Sequence, residues 1–336
     1  MSTTLPTTTL GADGPEVGIQ GLGCMGISEF YGDSDPAESR ATLEHAIDLG
    51  VTLFDTADIY GSGHNEEFLS GFVREHRDEL VIATKFGIVR RADDPTFRGF
   101  DNSPAYIRAA VDASLRRLGV DTIDLYYMHR RDPAVPIEDT VATMAELVTA
   151  GKIRALGLSE VTGDELRAAH AVHPIAALQS EWSLFSRDVE RTAVPVAAEL
   201  GVTFVPYSPL GRGFLTGAFR NADSLGDNDF RQRMPRFTGD NAERNAELLA
   251  PLAAIAHTHG ITRAQVALAW VHARAEAHGL AVVPIPGTRK RDRLAENVAA
   301  AGVRLSEDDL ATLEPIAGQV AGPRYADMSF TSAGRE

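Results

Sequence analysis

Hydrophobic and polar positions follow two alternating rhythms along this chain. Short runs of apolar, mostly β-branched residues are separated by longer amphipathic stretches such as DPAESRATLEHAIDLG and SPAYIRAAVDASLRRLG. Short apolar runs bounded by turn residues predict buried strands, and the longer stretches predict helices. The predicted strands are the segment EVGIQGLG (16–23) and residues 51–54, 80–84, 123–128, 153–158, 175–179, 202–207 and 281–285.

Start and stop signals place the helices between these strands. Asp35-Pro36 and Ser103-Pro104 are typical helix starts, and Gly50, Gly119 and Gly151 are typical stops. Eight strands alternating with helices predict parallel βαβ units. The fold class is therefore predicted as α/β, specifically a (β/α)8 TIM barrel.

A doubly wound sheet is the competing fold. The segment GLGCMG (21–26) matches the glycine pattern of dinucleotide-binding turns, and Asp55 lies near the place of a ribose-binding acid. That pattern requires a helix to open among the glycines, whereas the next predicted helix begins at Asp35 or Pro36. The barrel is therefore favoured, and a helix starting near Met25 would favour the alternative.

No linker, repeat or low-complexity segment divides the chain, so residues 1–336 are predicted to form one domain. A short hairpin is predicted in residues 4–19, around GADGPE, and an irregular tail after residue 317. The longest irregular stretch is 208–240, and loops of that length in compact proteins are usually functional or mobile.

Composition narrows the classes of partner. The formal charge of −15, from 32 basic and 47 acidic residues, argues against nucleic acid and anionic membranes. A single cysteine, Cys24, fits a reducing compartment. The N-terminus carries no secretory signal pattern, and no apolar run is long enough to span a bilayer. The expected location is the cytoplasm, and the sequence leaves a homo-oligomer open.

Four chemically distinct side chains follow consecutive predicted strands. Asp55 follows the strand 51–54, Lys85 follows 80–84 and His129 follows 123–128, while Tyr60 lies in the loop that Asp55 begins. In a TIM barrel, the carboxyl ends of the strands share one face, where catalytic residues collect. Each residue alone has a structural explanation, but their joint placement predicts a catalytic site.

This set of side chains suits protonation of an oxygen while another group attacks its carbon. A free tyrosine has a pKa near 10, and a nearby ammonium group should lower that pKa. The carboxylate would hold the lysine in place, and the imidazole would orient a carbonyl oxygen. No metal site is predicted, since no carboxylate or cysteine accompanies the pairs His170/His173 and His257/His259. A nicotinamide hydride is therefore the expected partner.

The chain resembles the aldo-keto reductase family over essentially its full length. The segments FDTADIYG, ATKFG and DLYYMHRRDP resemble the family's catalytic segments, and GKIRALGLSE, LQSEWSL, VPYSPLGRGFLTG and PIPGTRKRDRLAEN follow in the family's order. The resemblance implies a (β/α)8 barrel, NADP(H) and metal-free, reversible reduction of aldehydes or ketones. Asp55, Tyr60, Lys85 and His129 would be the catalytic residues. The segment SEVTGDELRAAHAVHPIAALQSEWSLFSRDVE also resembles a bacterial and fungal subgroup that includes pyridoxal reductases.

The resemblance also implies a set of cofactor-binding residues at matching positions. Ser159 and Gln179 would bind the carboxamide of the nicotinamide, and Tyr207 would stack on its ring. The remaining predicted cofactor residues are Gly23, Cys24, Met25, Asp55, Ser208, Pro209, Leu210, Arg212, Gly213, Gly287, Thr288, Arg289, Arg293, Glu296 and Asn297. Many family members carry Asn at position 160, and the charged Glu160 is expected to turn away from the carboxamide.

The basic turn GTRKRDR supports NADPH over NADH. It places Arg289, Lys290, Arg291 and Arg293 at the start of the last barrel helix of an otherwise acidic chain. Free backbone N–H groups at a helix start favour anions, and this cluster suits a 2′-phosphate.

Two further points stay open at the level of the sequence. A cofactor-sensing binding protein could use the same fold, because fold alone does not decide function. The aromatic residues Phe30, Tyr31, Phe86 and Trp182 are expected near the mouth of the site, which would suit an apolar or aromatic aldehyde.

Overall fold

The architecture is a parallel barrel that carries its strands in chain order. A computed structural model describes residues 5–32, 34–90, 94, 99–226 and 229–336. The strands in this part of the chain are β1 (Thr7–Thr9), β2 (Glu16–Gly18), β3 (Leu22–Gly23), β4 (Leu53–Asp55), β5 (Val81–Phe86), β6 (Ile88–Val89), β7 (Gly99–Phe100), β8 (Ile123–Met128), β9 (Ile153–Ser159), β10 (Ala177–Glu181) and β11 (Thr203–Tyr207). Seven of them lie side by side and parallel, in the order β3-β4-β5-β8-β9-β10-β11.

The predicted eighth strand, 281–285, fills the gap between the two edges of this sheet. Its backbone bonds β11 on one side, where Ile285 N donates to Pro206 O at 3.1 Å. On the other side Gly21 N donates to Pro284 O at 3.0 Å, next to β3. Proline has no N–H, so Pro284 and Pro286 cannot donate to a regular ladder. The segment therefore closes the barrel through only part of the hydrogen bonds of a strand.

Helices cover the outside of the barrel, as the periodicity predicts. The helices are α1 (Met25–Ser28), α2 (Pro36–Asp48), α3 (His64–Glu75), α4 (Pro104–Leu118), α5 (Ile137–Thr149), α6 (Gly163–Val172), α7 (Ala193–Leu200), α8 (Gly239–Glu247), α9 (Ala250–His259), α10 (Arg263–Ala277), α11 (Arg291–Ala299) and α12 (Glu307–Leu313). The Asp35 side chain caps α2 and the Ser103 side chain caps α4, which confirms both predicted starts. In the described residues, no helix combines the length and apolar character needed to cross a bilayer.

Alternation along the strands divides the core into an inner and an outer layer. Leu53, Ala83, Leu125 and Val205 belong to the cluster inside the barrel, whereas their sequence neighbours pack against the helices. Side chains of a strand point alternately to its two faces, so each strand contributes every second residue to the interior.

One glycine shows how tightly this interior is filled. A Cβ on Gly157 of β9 would lie 2.3 Å from the ring of Tyr127, on the neighbouring strand β8. The ring of Tyr127 occupies the space that a side chain at position 157 would need. Any larger residue at this position should displace the ring from the barrel interior.

The N-terminal hairpin closes the end of the barrel opposite the predicted site. Strands β1 and β2 pair antiparallel, and Leu10 and Val17 of this hairpin join the inner cluster. Gly11 N donates to Thr203 Oγ1 and Gly18 N donates to Thr52 Oγ1, both at 2.9 Å. The hairpin predicted in 4–19 is thus confirmed for its described residues. The single strand predicted at 16–23 was wrong, because it divides between β2 of the hairpin and β3 of the barrel.

The doubly wound alternative fails on topology. A one-turn helix, α1, does begin at Met25, but it has only four residues and its cap Cys24 makes no side-chain capping bond. The sheet runs in chain order without the reversal that defines a doubly wound fold. Of the irregular stretch 208–240, the described residues form a series of single 3₁₀ turns before α8 begins.

Asp124 joins three elements at the outside of the barrel. It is fully buried, forms a two-bond ion pair with Arg77 at 2.8 Å for each bond, and accepts from the Ile82 backbone at 2.9 Å. Arg154 approaches its other side at 2.9 Å. We expect Asp124→Ala to lower the free energy of unfolding by about 1–3 kcal/mol, because buried partners lose their acceptor.

Urea-induced unfolding checks this prediction, with Asp112→Ala as the control. Asp112 pairs with Lys152 at a half-exposed position, so its removal should cost less than about 1 kcal/mol. Equal losses in the two variants would show that Asp124 contributes no more than a surface ion pair.

Candidate active site

A buried ion pair lies at the carboxyl ends of β4 and β5. Lys85 has no exposed surface and Asp55 is nearly buried, and the Lys85 ammonium donates to Asp55 Oδ1. The ammonium also donates to the carbonyl of Thr56 at 2.7 Å. Burial lowers the pKa of Lys85, and the charge of Asp55 opposes this shift. The carboxylate of Asp55 thus takes the place of the water that burial removes from the Lys85 ammonium.

Tyr60 lies beside this pair in the loop that follows β4. It belongs to a small apolar cluster against which Met25, Phe30 and Ile88 pack, and the Lys85 ammonium lies 5.3 Å from its ring centroid. Gly61 and Ser62 follow with positive φ angles of 57° and 55°. This turn lets α3 start directly after the tyrosine and leaves Tyr60 facing the mouth of the barrel.

His129 completes the group from the end of β8. Its ring meets the Tyr60 ring edge to face, with 6.0 Å between centroids. Burial lowers the pKa of His129 well below its usual value, and the charges of Arg130 and Lys85 add to this. The imidazole is therefore neutral near pH 7 and offers one N–H donor and one acceptor. Its Nδ1 atom is buried and has no hydrogen-bond partner among the described residues.

The electrostatics of Tyr60 differ from the sequence-based hypothesis. Burial raises the pKa of Tyr60 well above its ordinary value, and the charge of Asp55 raises it further. The positive charge that most lowers the pKa of Tyr60 belongs to Arg130, not to Lys85. The ammonium of Lys85 is paired with Asp55, so much of its field at the tyrosine is cancelled.

Arg130 is a site residue that the sequence analysis missed. Its guanidinium is buried, donates to the carbonyl of His129 at 2.6 Å and to Ser159 Oγ at 3.1 Å. It lies 5.9 Å from the ring of Tyr207 and 5.8 Å from the ring of Phe330. The sequence signal for Arg130 was its position directly after the predicted catalytic histidine. Only the fold shows that its side chain turns into the mouth of the barrel.

The residues predicted to bind the nicotinamide lie on the same mouth. Ser159 ends β9, Gln179 is its register partner on β10, and Tyr207 ends β11. Gln179 Nε2 donates across the barrel to Asp55 Oδ2 at 2.8 Å, which connects this group to the catalytic group. The Oε1 atom of Gln179 and the hydroxyl proton of Ser159 are an acceptor and a donor, the pair that a carboxamide requires.

The segment predicted to contact the pyrophosphate follows Tyr207 as a tight loop. Ser208 and Arg212 have positive φ angles of 50° and 57°, and Gly213 has one of 88°. The Arg212 guanidinium is buried and donates to the hydroxyl of Tyr325 at 2.6 Å and to Glu181 at 3.3 Å. Backbone atoms of the loop 208–213, including Pro209 and Leu210, lie at the mouth, but the side chain of Arg212 is already paired.

The remaining predicted cofactor residues lie across the barrel closure. A Cβ on Gly287 would lie 3.0 Å from the carbonyl of Gly23, so these two segments touch through backbone. Arg289 donates to the carbonyls of Tyr31 and Gly32 at 3.0 and 2.9 Å. Thr288 precedes α11, and the other members of this group lie on α11 itself: Arg293, Glu296 and Asn297.

Cys24 connects this region to the catalytic loop through its backbone. Its N–H donates to the carbonyl of Asp55 at 2.8 Å, and its side chain is fully buried. Burial raises the pKa of the Cys24 thiol far above its usual range, and Asp55 adds to this. The thiol is therefore protonated and apolar in character, next to Gly23 and Met25.

Two of the four aromatic residues expected at the mouth are elsewhere. Phe86 is fully buried and stacks on Tyr126, and Trp182 is fully buried against Phe204. Both predictions were wrong because these positions have the outward parity of their strands, so the rings pack under the helices. Phe30 and Tyr31 do lie on the loop above β3, where both contact the ring of Phe230.

Glu160, which the sequence analysis expects to turn away from the carboxamide, directs its carboxylate toward Tyr207 and the C-terminal tail. The residue is fully buried, and its Oε1 accepts from the hydroxyl of Tyr207 at 2.7 Å. Arg324 of the C-terminal tail binds the same carboxylate at 3.0 Å. Burial by itself opposes ionisation, but the charges of Arg324 and Arg130 lower the pKa of Glu160 to about 2.

One group of potential metal ligands occurs on the surface, away from this mouth. In the described residues, ligand atoms of Glu44, Glu75 and His76 lie within 4.8 Å of one another. Arg40 already forms ion pairs with both carboxylates. The group is therefore a surface charge cluster held by a cation of the protein itself.

The comparisons with known proteins agree with this architecture. A model of the Aldo/keto reductase family matches residues 21–317. A glycerol dehydrogenase from Gluconobacter oxydans superposes with a TM-score of 0.82 at 29% identity, covering 97% of this chain and 98% of that protein. A thermostable aldo-keto reductase solved with the inhibitor epalrestat gives 0.73 at 30%, covering 93% and 100%.

A third structure supports the fold alone. The holo form of an aldo-keto reductase from Bacillus halodurans superposes with a TM-score of 0.74 at 24% identity, over 96% of this chain and 99% of that one. The family match covers most of the barrel, from its first strand to the last helix. The chain therefore belongs to the aldo/keto reductase family of oxidoreductases, which act on carbonyl compounds and generally bind NAD(P)H.

Proposed function

We propose that this protein is an NADPH-dependent reductase that interconverts aldehydes or ketones and their alcohols. The observation that carries the proposal is the grouping of Tyr60, the Lys85–Asp55 ion pair and neutral His129 at one end of the barrel. A proton donor, its charged neighbours and a neutral hydrogen-bonding group are the parts that carbonyl reduction requires.

The residues at the mouth fit a nicotinamide cofactor. Ser159 and Gln179 offer a donor and an acceptor at paired positions, and Tyr207 ends the next strand, opposite Glu181. The Tyr207 hydroxyl is held by Glu160, so the ring has a defined orientation for stacking. When bound, this cofactor supplies the hydride that adds to the carbonyl carbon.

Tyr60 is assigned as the proton donor to the carbonyl oxygen. Its raised pKa keeps the phenol protonated across the physiological range, which is the state a donor needs. His129 is neutral and donates a hydrogen bond that orients the same oxygen. Arg130 stabilises the phenolate left after proton transfer, because its charge is the one that most lowers the pKa of Tyr60.

Lys85 is assigned two roles: it holds the Asp55 side chain in place, and its positive charge offsets the negative charge of Asp55. Asp55 receives hydrogen bonds from Lys85 on one oxygen and from Gln179 on the other. Without Lys85 the carboxylate would stand alone beside Tyr60 and would oppose phenolate formation. The pair therefore protects Tyr60 from the full negative field of Asp55.

The preference for NADPH rests on the basic turn before and within α11. Arg289 and Arg293 lie at this helix start, where backbone N–H groups also favour anions. Arg291 pairs with the carboxylate of Glu38 at 3.3 Å, a negative charge that a phosphate at the same position would meet. Two arginines near one phosphate would form charge-assisted contacts.

A cofactor-sensing binding protein is the alternative, and turnover decides between the two. NADPH and NADH are supplied in parallel with a panel of aliphatic and aromatic aldehydes, and cofactor oxidation is followed by the absorbance of the reduced nicotinamide. Tight cofactor binding without turnover on any aldehyde would favour the binding protein.

We expect Tyr60→Phe to abolish carbonyl reduction and to leave the Kd for NADPH nearly unchanged. The substitution removes only the acidic proton, since the ring still packs with Met25 and Phe30. A general acid contributes about 10²–10⁴ in rate. Single-turnover rates and cofactor fluorescence titrations check the two parts. A variant with near wild-type kcat would assign the proton to another group, with His129 as the first candidate.

We expect Lys85→Met and Arg130→Met to shift the pH dependence of alcohol oxidation, so that the rise of kcat/KM with pH occurs at more alkaline pH. In this direction Tyr60 must first lose its proton, and each variant removes a charge that offsets Asp55 or stabilises phenolate, so the pKa of Tyr60 rises. For Lys85→Met the loss at neutral pH should be about 10²–10⁴. The measurement is kcat/KM for alcohol oxidation against pH.

The double variant Asp55→Asn/Lys85→Met is the matched control for this series. It removes both charges of the ion pair, so its profile should shift less than that of Lys85→Met alone. An unchanged profile in both single variants would mean that neither cation tunes Tyr60.

We expect Arg289→Ala/Arg293→Ala to weaken NADPH about 100-fold or more, with a much smaller effect on NADH. Two charge-assisted contacts of about 1.5–3 kcal/mol each would be lost with NADPH only. Arg291→Ala is the control, because that arginine is paired with Glu38. Equal losses for the two cofactors would show that the turn is a solvated helix start without a phosphate site.

A further inference from the structure

One buried carboxylate connects β9, the end of β11 and the C-terminal tail, which we define as residues 321–336. Glu160 directly follows Ser159 and adopts a positive φ of 52°, which is uncommon for a residue with a side chain. Its N–H donates to the carbonyl of Gln179 at 3.0 Å. This backbone turn directs the carboxylate into the protein, and its cost must be offset by the contacts that result.

Both carboxylate oxygens of Glu160 are fully used. Oε1 accepts from the Tyr207 hydroxyl at 2.7 Å, from Arg324 at 3.0 Å and from the backbone of Glu181 at 3.1 Å. Oε2 accepts from Arg324 at 3.4 Å and from the backbone and hydroxyl of Ser332 at 3.1 and 3.3 Å. One ionised carboxylate, with two acceptor oxygens, thereby binds β10, β11 and the C-terminal tail.

The tail also has anchors away from Tyr207. Arg335 pairs with Glu165 at 2.8 Å, and Asn245 bonds the backbone of Ala321 at 2.8 Å in each direction. Arg324 is 2% exposed and contacts Asp188 at 3.1 Å in addition to Glu160. Glu160 binds this stretch at both of its ends, Arg324 and Ser332, and Arg212 holds Tyr325 between them.

We propose that Glu160 is a positioning residue that fixes the Tyr207 ring and the C-terminal tail relative to each other. The tail stretch held by Glu160 carries Tyr325, whose hydroxyl accepts from Arg212, and Phe330, which lies over Arg130. The placement of the tail on the mouth and the orientation of the ring are set by the same carboxylate. For the role of Tyr207 toward the nicotinamide, this inference rests on the proposed function.

Two consequences separate this role from a general structural one. Loss of the negative charge of Glu160 should open the tail locally at Arg324, while the barrel and the anchors at Arg335 and Ala321 remain. It should also weaken the part of cofactor binding that involves the nicotinamide ring, because the Tyr207 hydroxyl loses its charged partner. The basic turn at α11 lies on a different segment from every Glu160 contact given above.

The first test is limited trypsin digestion of the intact protein, with cleavage after Arg324 identified by mass spectrometry. In Glu160→Gln this cleavage should accelerate about tenfold or more, because proteolysis follows the population of locally opened chain. Glu165→Gln is the matched control, since it removes the charge that holds Arg335 and keeps the helix cap. Unchanged protection of Arg324 in Glu160→Gln would overturn the tail part of the proposal.

The second test compares binding of NADPH with binding of 2′-phospho-ADP-ribose, which lacks the nicotinamide. Glu160→Gln and Tyr207→Phe should each weaken NADPH about tenfold to 100-fold, the equivalent of a hydrogen bond to a charged group, and leave the fragment unaffected. The double variant should be no worse than either single one, because both remove the same contact. Equal losses for the two ligands, or additive losses in the double variant, would overturn the ring part.

Neither test uses turnover, so their results are independent of whether the protein reduces carbonyls. If Glu160→Gln does not fold, as judged by its circular dichroism, Ser332→Ala and Tyr207→Phe each remove one contact and keep the ion pair. Ser332→Ala should then accelerate cleavage after Arg324, and Tyr207→Phe should weaken NADPH selectively. No change in either variant would refute the proposal.

Discussion

The buried ion pair between Lys85 and Asp55 organises the mouth of the barrel. Removing two charges from water is costly, and the cost is met only when both partners and their remaining hydrogen bonds are in place. Here the partners come from β4 and β5, the Thr56 carbonyl accepts from the ammonium, and Gln179 of β10 donates to the second carboxylate oxygen. Because Gln179 reaches Asp55 across the barrel, the pair depends on the closed sheet, and the position of Tyr60 depends on the pair.

Alternation along the strands explains why the other functional groups face the same space. Asp55, Lys85 and Ser159 have the inward parity of their strands, and so do the apolar residues below them in the barrel. The lower layers are filled by residues such as Leu53, Ala83 and the N-terminal hairpin. The apolar core and the polar mouth are thus two ends of one column of side chains inside the barrel.

The charge distribution of the mouth differs from that of the whole chain. The protein carries a formal charge of −15, yet Arg130, Arg212 and Arg324 are buried around Tyr207. Three carboxylates, Glu160, Glu181 and Asp188, oppose these three positive charges. Burial raises the pKa of Asp188 while Arg324 opposes the shift, so the balance depends on close packing of the tail. These six charges sum to zero in a strongly acidic protein, so an anionic ligand meets less repulsion at the mouth than the charge of the whole chain would suggest.

The sequence by itself determined the order of strands and helices, their caps, and the barrel. Short apolar runs and glycine stops are local signals, and the physics of strand ends then placed Asp55, Lys85 and His129 on one face. The tertiary structure alone decided which residues surround them. Phe86 and Trp182 each lie one residue away from a position that points into the barrel. Arg130 and Glu160 reach the mouth through turns, which leave no periodic pattern in the sequence. Arg324 contacts Glu160 over 164 positions of chain, and such a contact depends on how the tail packs against the closed barrel. Local patterns report local backbone preferences, whereas the field at Tyr60 is set by groups brought together only by folding.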